Sequence, residues 1–145
     1  MIEVPKDLQF AIEKAWQAAR EIPGYLNEDE ARFLAMAAAC APRTGRIIEI
    51  GSFKGRSTVL LASIAKHYDL PPVVAIDPHT MRSEELLHLR TAYGNSTLNA
   101  LKRNLHRNRL TEYVDIQCSL SADVALNWKD PIADFATLSW AHLLV

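Results

Sequence analysis

The sequence lacks the features that mark several protein classes. Its 145 residues include two cysteines, Cys40 and Cys118, which are too few for a disulfide-bonded scaffold or a cysteine-bound zinc site. We therefore expect two free, buried thiols. No apolar run approaches 18 residues, and the first residues show no basic stretch followed by an apolar one, so neither a membrane span nor a secretion signal is indicated. The pattern predicts a cytoplasmic protein with no membrane partner.

A surplus of charge of one sign is also lacking. Lys and Arg number 16, Asp and Glu number 17, and the net charge is −1. Because a dedicated nucleic-acid-binding protein needs a large basic surplus, we expect no nucleic-acid partner. The basic cluster at 102–109 is interpreted as the solvated end of a helix, since Leu101 and Leu105 mark a buried face.

The composition indicates one globular domain over residues 1–145, with 49% apolar and 23% charged residues and no linker or internal repeat. The first part, residues 1–42, is predicted to be helical. Amphipathic helices are expected over 7–21 and from Asn27 to Pro42, the second with Phe33 and Leu34 facing inward.

Beyond residue 42 the pattern predicts an α/β fold. Short apolar runs alternate with helical patterns, which is typical of a parallel sheet with helices on both faces. A segment over 81–93 is interpreted as a loop with some helix. The expected strands are 47–50, 73–76, 113–118 and 133–138, and the expected helices are 56–68, one marked by Leu98, Leu101 and Leu105, and one around 121–128.

The turn between the first strand and the next helix, from Gly51 to Gly55, is the most informative segment. Two glycines let backbone N–H groups approach a ligand closely, and the following helix N-terminus favours an anionic group. Asp77 ends the next strand, 22 residues after Gly55, where a carboxylate can accept hydrogen bonds from both ribose hydroxyls of a nucleoside. The combination predicts an adenosine-type cofactor, although Asp77 alone suits a turn cap equally well.

The spacing of the turn discriminates among nucleotide ligands. A dinucleotide turn has the form G-x-G-x-x-G, whereas this turn is G-x-x-x-G with Phe53 in the place of the second glycine. A phosphate-binding P-loop has four residues between its glycines and then a lysine, whereas here there are three, followed by Arg56. NAD, ATP and GTP are therefore disfavoured. An NAD- or nucleotide-binding enzyme of related topology and a turn with no ligand remain the alternatives.

The segment 47–58, with the form E-I-G-x-x-x-G-x-S, resembles motif I of class I S-adenosylmethionine-dependent methyltransferases. It is particularly similar to the catechol and caffeoyl-CoA O-methyltransferase branch, and the resemblance spans roughly residues 25 to 135. It implies a Rossmann-like doubly wound parallel sheet, S-adenosyl-L-methionine as the cofactor, and methyl transfer to an oxygen or nitrogen of a small molecule.

The resemblance also implies which residues wall the methionine side of the cofactor pocket. Ser57 would lie near the cofactor carboxylate. The pocket walls would be formed by Glu49, Gly51, Ser52, Phe53 and Gly55.

The resemblance places further residues along the nucleoside part of the cofactor. Asp77 would hold the ribose, and Pro78 and His79 would line the pocket beside it. Cys118 and Ser119, which follow the third strand, would lie near the adenine.

The sequence departs from the family's pattern after the fourth strand. Family members usually carry an isoleucine-aspartate-glycine-like stretch there, followed by histidine or a metal ligand, whereas here Phe135 is followed by A-T-L-S-W-A-H. No catalytic residue is therefore assigned. The resemblance allows a divalent metal, but no residue present supports one.

The length also departs from the family, because a full domain has three further strands. We expect a C-terminally truncated sheet of about four strands, and the alternative function is a non-catalytic fragment that binds S-adenosylmethionine, a nucleoside or nothing. The fourth strand would then be an open edge that favours a homo-oligomer.

Overall fold

The computed structural model describes residues 4–79, 97–129 and 135–138. The predicted 81–93 loop and the residues on either side of the fourth strand lie outside this range. The predicted helices and strands within it are confirmed, with ends that differ by a few residues. In chain order the elements are α1 (Leu8–Ala19), α2 (Glu28–Ala39), β1 (Ile47–Ile50), α3 (Arg56–His67), β2 (Val73–Ile76), α4 (Thr97–Arg107), a 3-10 helix (Thr111–Tyr113), β3 (Val114–Gln117), α5 (Ser121–Leu126) and β4 (Phe135–Leu138).

The four strands form one parallel sheet in the order β3-β2-β1-β4. In this register Ile48 of β1 lies between Val74 of β2 and Ala136 of β4. The first three strands are laid down in one direction, and the chain then crosses to the other side of β1 to place β4. This is the order of a doubly wound sheet, in which ligands bind outside the carboxyl ends of the strands where the order reverses. The reversal falls at β1.

Helices lie on both faces of the sheet. On one face α3 buries Leu60, Leu61 and Ile64 completely, and α1 and α2 pack against α3. On the other face α5 lies beside β2 and β3, where Val74 and Trp128 help to line a cavity of about 350 Å³. The predicted Rossmann-like doubly wound α/β class is therefore confirmed.

The second helix begins as its sequence predicts but presents a different face. The Asn27 side chain accepts a hydrogen bond from the Glu30 N–H at 2.9 Å, and the Asn27 N–H donates to the Glu30 carboxylate at 3.0 Å. The expectation that Phe33 faces inward is wrong, because its side chain is 66% exposed. Leu34 and Ala38 set the buried stripe of α2, and at about 100° per residue Phe33 falls outside it.

Both cysteines are free, as predicted, but the expectation that both are buried is wrong. Cys40 is half-buried and Cys118 is exposed, because Cys118 directly follows β3, the outer strand of the sheet. Leu101 and Leu105 of α4 are buried, as their spacing predicts. In the described ranges no helix has both the length and the apolar character needed to cross a membrane.

Candidate functional site

The turn after β1 contains three residues with positive φ. These are Gly51 at 91°, Phe53 at 47° and Gly55 at 93°. The Gly51 N–H donates to the Ile76 carbonyl at 2.8 Å, and the Gly55 N–H donates to the Ser52 carbonyl at 2.8 Å. The turn is therefore tied to the end of β2 and closed on itself just before α3 begins. Glycine suits its two ends because it adopts positive φ without steric cost.

Helix α4 packs against this turn and is hydrogen-bonded to it. The Asn104 amide donates to the Lys54 carbonyl at 2.8 Å. A Cβ placed on Gly55 would lie 2.6 Å from Cδ1 of Leu101, so the turn and the helix are in close contact there. Sequence reasoning did not find this support, because nothing in the pattern of α4 indicates which loop its polar residues reach.

Asp77 joins the tips of β1 and β2. One carboxylate oxygen accepts the Phe53 N–H at 2.8 Å and the other accepts the His79 N–H at 2.7 Å, while the residue is 9% exposed. Asp77 therefore caps the glycine turn and its own turn, which is the structural role that the sequence left open. Each carboxylate oxygen has a further lone pair available for a ligand hydroxyl.

Two buried polar atoms near the turn have no hydrogen-bond partner within the described part of the chain, Ser52 Oγ and His79 Nε2. The other ring nitrogen of His79 lies 2.8 Å from the Thr97 hydroxyl. Burial lowers the pKa of His79 below its usual value, so the neutral imidazole is favoured. Buried polar atoms without partners are rare in proteins and point to a ligand or a water molecule.

Glu49 lies under the first turn of α3. Its carboxylate accepts hydrogen bonds from the Ser57 hydroxyl and, at 2.6 Å, from the Thr58 hydroxyl, and the residue is 1% exposed. Burial raises the pKa of Glu49 to about 7; the two hydroxyl hydrogen bonds oppose this shift, and the charge of Asp77 adds to it. A buried carboxyl group that titrates near neutrality is thus placed beside the glycine turn.

The structure brings most of the predicted site residues together and leaves two apart. The half-buried Pro78 follows Asp77 directly. Cys118 and Ser119 lie after β3, on the far side of β2 from the glycine turn; Ser119 lines the cavity beneath α5. The residues gathered at the carboxyl ends of β1 and β2 are Glu49, Gly51, Ser52, Phe53, Gly55, Ser57, Asp77, Pro78 and His79.

In the described ranges no cluster of three His, Cys, Asp or Glu side chains is arranged to hold a metal ion.

The sequence shows that Arg56 does not fit a P-loop, but it does not indicate the structural role of this residue. The guanidinium of Arg56 donates to three carbonyl groups of the segment between α1 and α2.

No protein-family model and no curated protein matches the sequence. Solved structures do match in fold. Cofactor-bound Rv0187 from MTB is 21% identical with a TM-score of 0.58, over 92% of this chain and 53% of that chain. The O-methyltransferase TomG from Streptomyces achromogenes, in complex with SAM, is 23% identical with a TM-score of 0.55, over 94% and 55%.

An O-methyltransferase from Bacillus cereus, in complex with SAH, is 24% identical with a TM-score of 0.55, over 95% of this chain and 56% of that chain. The chain therefore spans about half the length of the structures that it matches. At these identities the similarity establishes the fold. The chain has the Rossmann-like fold of these structures, over about half of their length.

Proposed function

We propose that the chain binds S-adenosyl-L-methionine at the 51–55 turn and forms the cofactor-binding part of an enzyme that methylates an oxygen or nitrogen of a small molecule. The observation that carries this proposal is the convergence of the glycine turn, the start of α3 and Asp77 where the strand order reverses. The complexes of TomG with SAM and of the Bacillus cereus enzyme with SAH support the same ligand.

The chemistry of the site fits the methionine end of this cofactor. A helix N-terminus stabilises a carboxylate, and the Ser57 hydroxyl lies in the first turn of α3. The Glu49 carboxyl group is an acceptor for an ammonium group. Gly51, Gly55 and the Phe53 backbone allow close approach, and Ser52 Oγ is a buried hydrogen-bonding group without a partner within the described residues.

The nucleoside end is assigned with the same reasoning. Asp77 accepts the ribose hydroxyls with its remaining lone pairs, and Pro78 and His79 line the pocket beside the ribose. Cys118 and Ser119, next along the carboxyl edge of the sheet, lie near the adenine.

The proposed role of these residues is to bind and orient. When bound, the cofactor supplies a methyl group on a positively charged sulfur. Transfer of that group is an in-line displacement, so its rate depends on holding the two reactants at the right distance and angle. The rigid turn, closed by the Gly55–Ser52 and Phe53–Asp77 hydrogen bonds, supplies that orientation on the cofactor side. No catalytic base and no metal are assigned.

Titration calorimetry of the intact chain with S-adenosylhomocysteine, NAD and ATP tests the ligand. We expect binding of S-adenosylhomocysteine alone. Asp77→Ala is expected to weaken this binding by about tenfold or more, since a hydrogen bond to a charged group contributes about 1.5–3 kcal/mol. Asp77→Asn keeps one carbonyl acceptor for the Phe53 N–H and should show an intermediate loss.

Asp29→Asn, at an exposed acid in the first turn of α2, is the matched control and should bind as the wild type does. Circular dichroism confirms that each variant is folded. Failure of the folded wild type to bind S-adenosylhomocysteine, or equal affinity in the Asp77 variants, would refute the proposal. Binding without methyl transfer is the competing function, and it predicts that S-adenosylmethionine is bound but not consumed in the presence of small phenols and amines.

A further inference from the structure

Arg56 is the first residue of α3 and directly follows Gly55. Its guanidinium donates three hydrogen bonds to carbonyl groups of the segment that joins α1 to α2. Nε donates to Ile22 at 2.5 Å, Nη1 to Leu26 at 2.8 Å and Nη2 to Arg20 at 2.9 Å. One side chain at the end of the glycine turn therefore holds the whole 20–26 segment.

The segment is seated closely on Arg56. A Cβ placed on Gly24 would lie 3.1 Å from Cβ and 3.4 Å from Cδ of Arg56. The central carbon of the guanidinium lies 5.9 Å from the centroid of the Trp16 ring in α1. At this distance a cation is attracted to the face of an aromatic ring. A lysine cannot reproduce this arrangement, because its ammonium group lacks the planar set of N–H donors that can bind several acceptors at fixed angles.

The same segment reaches the glycine turn through Tyr25. The ring of Tyr25 lies 6.5 Å from the ring of Phe53, centroid to centroid, and Tyr25 is 63% exposed. Phe53 is at the same time fixed by its N–H bond to Asp77. A continuous set of contacts thus runs from Arg56 through the segment to the middle of the turn.

We propose that Arg56 is a positioning residue of the ligand site: it holds the 20–26 segment so that Tyr25 stands against Phe53 as an outer wall of the methionine-side pocket. This inference rests on the proposed function, since it concerns the same pocket. Arg56 acts through the segment and does not itself contact the ligand. Its removal therefore changes the order of the segment first and the affinity for the ligand second.

The test compares Arg56→Lys, Arg56→Ala and Tyr25→Ala with the wild type, using calorimetry with S-adenosylhomocysteine and hydrogen exchange measured by mass spectrometry. Both Arg56 variants are expected to show faster amide exchange over residues 20–26 and an affinity lower by about fivefold to tenfold, since the segment must then be ordered on binding. Tyr25→Ala should lose affinity for S-adenosylhomocysteine, while amide exchange outside residues 20–26 stays as in the wild type.

Arg32→Ala is the matched control. Arg32 forms ion pairs with Glu13 of α1 and Glu28 of α2, so its loss affects the same helices without releasing the 20–26 segment. We expect lower stability and unchanged affinity. Arg56 variants that exchange faster yet bind as tightly as the wild type, or whose exchange is unchanged, overturn this inference alone. Absence of binding by the wild type overturns the proposed function as well.

Discussion

Gly55 is constrained twice, by its backbone conformation and by its packing. Its φ of 93° lies in the left-handed region, and an added Cβ would lie 2.6 Å from Cδ1 of Leu101. We expect Gly55→Ala to lower the free energy of unfolding by about 2–4 kcal/mol, from the left-handed backbone and the overpacked contact together. Urea denaturation measures this change.

The two contributions separate in a double-mutant cycle with Leu101→Ala. Removing the Leu101 side chain relieves the contact but not the backbone conformation, so the double variant should lose less stability than the sum of the single variants. A Gly55→Ala protein within about 0.5 kcal/mol of the wild type would contradict the observed turn geometry.

Glu49 makes the stability of the chain depend on pH. Because burial raises its pKa from 4.5 to about 7, the folded state holds the proton more tightly than the unfolded state does. The contribution of protonated Glu49 to the free energy of unfolding is therefore complete below about pH 4.5. It is lost as the pH rises toward 7, by up to about 1.4 kcal/mol per pH unit. We expect chemical denaturation at a series of pH values to show this loss.

Glu49→Gln isolates the effect from all other titrating groups. An amide has no charge to bury, and it can still exchange hydrogen bonds with the Ser57 and Thr58 hydroxyls. The stability of the wild type relative to Glu49→Gln should fall by about 2 kcal/mol or more between pH 5 and pH 8. Parallel stability curves for the two proteins over this range would show that Glu49 does not titrate there.

At the scale of elements, α4 acts as the support of the glycine turn. The Asn104 bond to the Lys54 carbonyl joins it to the turn directly. We expect Asn104→Ala to cost about 1 kcal/mol of stability, as for loss of one hydrogen bond, and to weaken S-adenosylhomocysteine binding. Asn108→Ala, just beyond the end of α4, removes a side-chain hydrogen bond to the Asn104 carbonyl and should leave the affinity unchanged; equal loss in both variants would mean that α4 does not support the turn.

The sequence predicts elements better than contacts between elements. The capping of α2 by Asn27 and Glu30 and the buried run 73–76 follow from patterns within a few residues, and both are confirmed. Phe33 is exposed although it is apolar, because apolar character alone does not show which stripe of α2 meets α3. The three carbonyl partners of Arg56 lie 30 to 36 residues away, so no local pattern indicates them.

At the scale of the whole molecule, we expect the end of the sheet beside β4 to favour association between copies of the chain. Among the described strands β4 pairs with β1 alone, and Ala136 in β4 is exposed. Unpaired strand edges favour pairing with another chain, and a charge on the edge strand opposes it. We expect sedimentation velocity to show concentration-dependent association of the wild type, weakened by about tenfold or more in Ala136→Lys. A wild type that sediments as a monomer at all concentrations would contradict this.

The strand order explains which part of the candidate site the sequence predicts well. Residues on consecutive strand tips, such as Gly51 and Asp77, meet because β1 and β2 are neighbours in a parallel sheet, and their positions follow from counting along the chain. The residues after β3 lie one strand further out, and their distance from the turn depends on packing that no spacing rule gives. The placement of Cys118 and Ser119 near the adenine comes from the resemblance alone, and this placement stays a prediction.

The exposure of Cys118 allows selective labelling of its thiol. A thiol that is open to solvent reacts with maleimides faster than a half-buried one, so labelling is expected to favour Cys118 over Cys40. A fluorophore attached there would sit at the carboxyl edge of the sheet, just beyond β3.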